Sequence, residues 1–199
     1  MEWEKGGGKE RDGFHGKYDF FTFCLVPGLT LWLASMESWF GTNLSVVCSR
    51  GGLRLGFALW GIVTGLYYGF YTFYLFRLGN YRKIVAKGLV LAAGGFLIGA
   101  VLIPYEPAIR PKTASLHVAL AFLAPVLLTL ALTMFLRSIS RRCRAEFRGA
   151  WRLMWTLEAG AAAVFGAAGF INSFLELYVV SGLCGFMRYL EQVLRKAES

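Results

Sequence analysis

Charge, cysteine, histidine and aspartate are all scarce in this chain of 199 residues, and each scarcity excludes something. Asp, Glu, Lys and Arg make up 17% of the sequence against 56% hydrophobic residues. With a mean hydropathy of +0.52, a soluble domain of this size could not cover its own surface with polar groups. Four cysteines, scattered at positions 24, 48, 143 and 184, provide no disulfide framework, and no CxxC or Cys/His cluster offers a structural zinc site. Only two histidines occur, His15 and His117, so the paired axial ligands of a membrane haem are missing. The only aspartates, Asp12 and Asp19, lie at the N-terminal end, which leaves no His and Asp cluster for a metal-dependent intramembrane hydrolase. The glycines before Lys9 have neither Walker spacing nor a preceding strand. No cofactor and no metal is expected.

What the sequence has is long apolar runs separated by short basic ones. With a bilayer core of ~30 Å needing ~20 residues per crossing, the runs give spans at 20–37, 54–76, 84–103, 115–136, 151–170 and 173–190. The fold expected is all-α, an integral membrane bundle of six transmembrane helices. A basic and acidic arm over 1–19, with three glycines at Gly6 to Gly8, precedes the bundle, and a short tail over 191–199 follows it. The arm is expected to be disordered or to lie on the membrane surface. Asn172 and Ser173 supply turn and N-cap chemistry for a tight hairpin between the last two spans.

The net charge of +9 and pI near 9.6 fit either nucleic acid or membrane topology, and the placement of the charges decides between them. Of the 21 basic residues, 17 fall on one side of the six-span layout; only Arg50, Arg54, Arg110 and Lys112 fall on the other. Basic residues near span ends stay in the cytoplasm, so both termini are cytoplasmic and no nucleic-acid partner is expected. A competing reading takes the first run as a secretory signal with Ala34 and Ser35 at its end, leaving five spans. The residues that follow, Glu37, Ser38 and Trp39, make a poor cleavage site.

Packing seams are expected where small residues recur every fourth position: Gly61, Gly65 and Gly69, then Gly95 and Gly99, Ala162 and Gly166, Ser181 and Gly185. Tyr67, Tyr71 and Tyr74 line roughly the opposite face of the second span. Pro125 is expected to kink the fourth. Trp39, Trp60, Trp151 and Trp155 are read as interfacial anchors.

Polar groups inside a membrane are costly, so each is a candidate for function. Glu37, Glu106, His117, Asn172 and Glu176 all fall at the outer end, near Arg50 and Arg54, and could converge there as a ligand pocket; the competing reading is a set of structural ion pairs and caps. Glu176, about one turn into its span, needs a partner such as His117 or Arg54. A Ser, His and acid arrangement using Ser45 or Ser115 with His117 and Glu176 is conceivable, but no nucleophile-elbow motif supports it. Glu158 is expected to pair with Arg77, Lys87 or Arg152 as a structural bridge.

Several short segments carry a resemblance. They are Glu37-Ser38-Trp39-Phe40 with Thr42 to Val46, Gly51 to Arg54 leading into Phe57 to Gly61, Ile103 to Pro107, Ser115 to Val118, Ile171 to Ser173, and Leu175-Glu176. With these the chain resembles small bacterial six-span proteins of the domain of unknown function 998 family, over nearly its whole length after the arm. The resemblance implies a multi-pass protein of a bacterial plasma membrane and carries over no catalytic residues. The leading functional expectation is a non-enzymatic component that binds a small molecule or lipid, transports or senses, through the outer pocket. Behind it stand a membrane enzyme acting on lipid or envelope substrates through Glu176 and His117, and a structural protein that packs against a helical partner.

Overall fold

The computed structural model describes residues 16–50, 52–141 and 144–198, with the side chains of 50 and 198 excepted. Most of the expected arm, His15 and Cys143 therefore lie outside the described residues. Among those described, all regular structure is helical. The helices are α1 (Phe21–Ala34, opening with a π-helical turn over Phe21–Leu25), α2 (Leu44–Arg50), α3 (Arg54–Leu78), α4 (Ile84–Leu102), α5 (Pro111–Ile139), α6 (Arg148–Ala168) and α7 (Ser173–Glu198).

Local chemistry sets the ends of these helices. Pro111 opens α5 at a position where its missing N–H is no loss. Gly169 closes α6 with φ +74°, a left-handed conformation that glycine adopts without a Cβ penalty. Asn172 then accepts the Leu175 N–H at 2.8 Å on Oδ1, which is the N-cap expected of the hairpin. Asn43 caps α2 in the same way through the Val46 N–H at 3.0 Å. Helix α2 falls between the expected spans, where its seven residues are too few to show a helical period. At the other end, α7 runs unbroken to Glu198, through most of the stretch expected as the tail.

Two helices, α4 and α5, are long and apolar enough on their own to cross a membrane. Their most apolar windows are only 28% buried, unlike the core helix of a soluble protein, so most of their apolar surface needs another cover. The other four expected spans do not reach that standard. The first helix is short, tyrosines and glycines dilute α3, and charges interrupt α6 and α7.

In the packing, α4 lies between α3 and α5, while α7 packs on α1, α3 and α6. The order across the molecule is α5, α4, α3, α7, α6, with α1 against α3 and α7. No extensive contact closes this row between α5 and α6. Of the expected seams, Gly61 and Gly65 do bring α3 against α4, because a Cβ on Gly61 would collide with Val101 and one on Gly65 would meet Ile98 and the Gly94 carbonyl. Gly69, Gly95, Gly166 and Gly185 face open space instead. The close approach of α6 to α7 comes from other glycines: a Cβ on Gly149, Gly160 or Gly182 would run into Tyr189, Tyr178 or Leu157 respectively.

Candidate functional site

A cavity of about 690 Å³ occupies the gap in the helix row. Its floor is built by α3 and α4, through residues such as Gly65, Gly69, Ala93 and Leu97, and its walls by α5 on one side and α6 and α7 on the other. Phe122, Val126 and Leu130 of α5 and Phe165 of α6 line it and are also exposed on the outside of the molecule. These residues mark the mouth, which opens sideways between α5 and α6. Along α5 the lining runs from His117 to Thr133, about 24 Å at the helical rise.

One end of this cavity is polar. His117, buried near the start of α5, places Nδ1 at 2.7 Å from the Ala100 carbonyl and 3.1 Å from that of Ile103. Carbonyls only accept, so Nδ1 carries the proton and, in the neutral ring, Nε2 is left as an acceptor. Ser45 lies 2.7 Å from Nε2 and therefore donates its hydroxyl proton to it. The rings of Tyr105 and Phe57, with centroids 5.4 and 6.4 Å from that of His117, hold the imidazole in place. Glu176 accepts the N–H of Leu44, the neighbour of Ser45, at 2.8 Å. The first turn of α2 thus gathers His117 and Glu176 from α5 and α7 to two consecutive residues, and Ser45, His117 and Glu176 all line the cavity.

The same end is tied together by backbone bonds. Ser173 N–H reaches the Thr42 carbonyl at 2.8 Å and Phe174 N–H that of Trp39 at 3.0 Å, so the free donors at the start of α7 are satisfied by the segment leading into α2. Asn172 is buried inside this junction, where its Nδ2 has no hydrogen-bond partner.

The expected seven-residue pocket forms only in part. His117 and Glu176 meet at α2 and Asn172 caps α7, but Glu37 and Arg54 are exposed, and Glu106 is half-buried in the loop between α4 and α5. The side chain of Arg50 lies outside the described residues. Glu176 takes a backbone N–H and not His117 or Arg54, because a helix start offers donors that need no counter-charge. Glu158 forms none of the expected bridges: the three ion pairs among the described residues are all made by Arg188 or Arg195. It sits at the middle of α6 and lines the cavity, too far from the helix end for the basic loops to reach. Trp60 is no interfacial anchor; it is buried, and its indole N–H donates to Thr30 Oγ1 at 2.7 Å.

A second polar cluster, which hydropathy does not mark, lies at the opposite end. Glu191 is buried and accepts from Tyr71 Oη at 2.6 Å, while Arg195 Nε and Arg188 Nη1 lie 2.9 and 3.2 Å from its oxygens. Arg188 also bridges to buried Asp19 at 2.9 Å, and Arg195 donates to Tyr74 Oη at 2.6 Å. Tyr18 stacks on Tyr71 with ring centroids 4.5 Å apart. The spacing of Arg188, Glu191 and Arg195 opposite a tyrosine stripe was the available signal, since buried tyrosine hydroxyls on one helix face need an acceptor.

Among the described residues, Cys24, Cys48 and Cys184 are free thiols. No group of metal-binding side chains occurs among the described residues. No known protein family, curated protein or solved structure matches the chain.

Proposed function

We propose that this is an integral membrane protein whose lateral cleft binds an amphipathic, lipid-like molecule drawn from the bilayer. The observation that carries the reading is the form of the cavity: mainly apolar along some 24 Å, open sideways through side chains that are exposed and hydrophobic, with the cluster of Ser45, His117 and Glu176 gathered at one end. An acyl chain suits the apolar length, and a hydrogen-bonding headgroup suits Ser45, His117 and Glu176. A water-borne polar solute suits neither. Glu158, halfway along α6 and in no ion pair among the described residues, borders the apolar part.

The membrane setting rests on α4 and α5, on the basic asymmetry of the loops, and on large exposed apolar side chains spread over the other helices, such as Leu55 and Phe70 of α3 and Trp155 of α6. In this reading α1, α3, α4, α5, α6 and α7 cross the bilayer, with both termini cytoplasmic and the His117 end outside. α1 is the shortest crossing, and its buried start at Asp19 is carried by Arg188.

The test is mass spectrometry of lipids extracted from protein purified in mild detergent, with Gly69→Leu as the comparison. Gly69 lines the cavity and a Cβ there meets nothing, so a leucine at this position takes up cleft volume. A lipid bound at near one per chain in the wild type and several-fold depleted in the variant is the expected result. Equal recovery from both proteins would sink the reading.

A further inference from the structure

The geometry points to Ser45 as a nucleophile and His117 as its general base, acting on an ester or thioester of the lipid-like molecule held in the cleft. This rests on the cleft being a lipid site and adds a reaction to it. Three independent features of the structure converge. The Ser45 hydroxyl and His117 Nε2 are 2.7 Å apart, the reach a base needs to take a proton from its nucleophile. The two carbonyls on Nδ1 fix the tautomer in which Nε2 is free to accept it, the orienting task that an acid performs in other serine and histidine pairs. Both side chains also line the cavity, so the pair is open to an occupant and not sealed in the helix packing.

The chemistry balances without a cofactor. Ser45 Oγ forms a bond to the acyl carbonyl carbon as its proton passes to His117 Nε2. The bond from that carbon to the leaving oxygen or sulfur breaks, and the leaving group takes the proton from Nε2. Water then attacks the acyl-serine, gives a proton to Nε2, and the bond to Oγ breaks with the proton returned to Ser45. The net change is ester plus water to carboxylic acid plus alcohol, or to thiol from a thioester. The acyl chain lies along the apolar length of the cleft, which selects long chains over short ones. A bond serving only to tie α2 to α5 would have no need of a cavity at the hydroxyl.

The experiment treats the purified full-length protein with a long-chain alkyl fluorophosphonate, which phosphonylates activated serines, and maps the labelled peptide. The expected result is stoichiometric label on Ser45, none in Ser45→Ala, and labelling slowed by roughly a hundredfold or more in His117→Gln. A short-chain probe should label far more slowly. The mapping in wild type decides the matter even if a variant fails to fold. Absence of label on Ser45, or label elsewhere only, overturns the proposal. If lipid still co-purifies in that case, the cleft reading stands and only the reaction is lost; if no lipid is bound, both fall.

Discussion

Replacing Glu191 with glutamine is the sharpest test of how the structure is held. The side chain is 1% exposed, and its two oxygens face Tyr71, Arg188 and Arg195. Losing one partner of a fully buried ion pair costs about 3–5 kcal/mol, because the other charge is stranded. Here the loss is smaller, since Arg188 keeps Asp19 and Arg195 is 53% exposed and returns to water. The amide oxygen also preserves an acceptor for Tyr71. About 2–3 kcal/mol is then expected for Glu191→Gln. Arg195→Gln should cost under about 1 kcal/mol, as an exposed ion pair does. Tyr71→Phe, which removes one hydrogen bond to a charged group, should fall between them at about 1.5–2 kcal/mol. Unfolding of the detergent-solubilised protein by sodium dodecyl sulfate, followed by circular dichroism, gives the three values. If Glu191→Gln proves no more costly than Arg195→Gln, the cluster does not clamp α7 and the reasoning fails.

Gly61→Ala, whose Cβ collides with Val101, should destabilise by about 1–3 kcal/mol. Gly69→Ala, whose Cβ meets nothing, should instead gain up to about 1 kcal/mol from helix propensity; equal effects on thermal unfolding would refute the assignment of these glycines. Cys48 is buried, and burial together with the nearby Glu176 carboxylate pushes its thiol up to about 12. It should resist maleimide at pH 8 until the protein is unfolded, as mass spectrometry of the modified peptide would show.

How much of this was legible in the sequence differs between helices and contacts. The helices announce themselves because an apolar run is a local signal, and the Asn172 cap likewise sits beside the helix it starts. The helix α2 is local too, but seven residues are too few to show a period. Partner choice is not local at all. Ser45 and His117 are 72 positions apart, and Asp19 and Arg188 are 169 apart; nothing in either neighbourhood marks the other. Hydropathy could therefore place His117, Asn172 and Glu176 at one end without saying that α2 would gather them. It placed Glu37, Arg54 and Glu106 there equally well, although these stay in loops or face outward. Glu191 was passed over because charge next to a run end reads as tail, whereas a tyrosine face on α3 makes it interior.

The cleft itself follows from where bulk is absent. Both ends of α7 are fixed, one by the bonds to Trp39, Thr42 and Leu44, the other by Asp19, Tyr71 and Tyr74. Helix α6 packs closely on α7 through glycines, and buried Ala150 and Met154 root its first turns in the main core, where the Trp151 indole N–H donates to Ser140 Oγ at the end of α5. Beyond Glu158 its sequence is Ala159, Gly160, Ala161, Ala162, Ala163, which has no side chain long enough to reach across to α5. A leucine-rich segment at the same place would fill the space as the rest of the core is filled. In the proposed function, an acyl chain enters this gap from the side. The alanines that make α6 a poor wall are thus what leaves Ser45 and His117 open to an occupant.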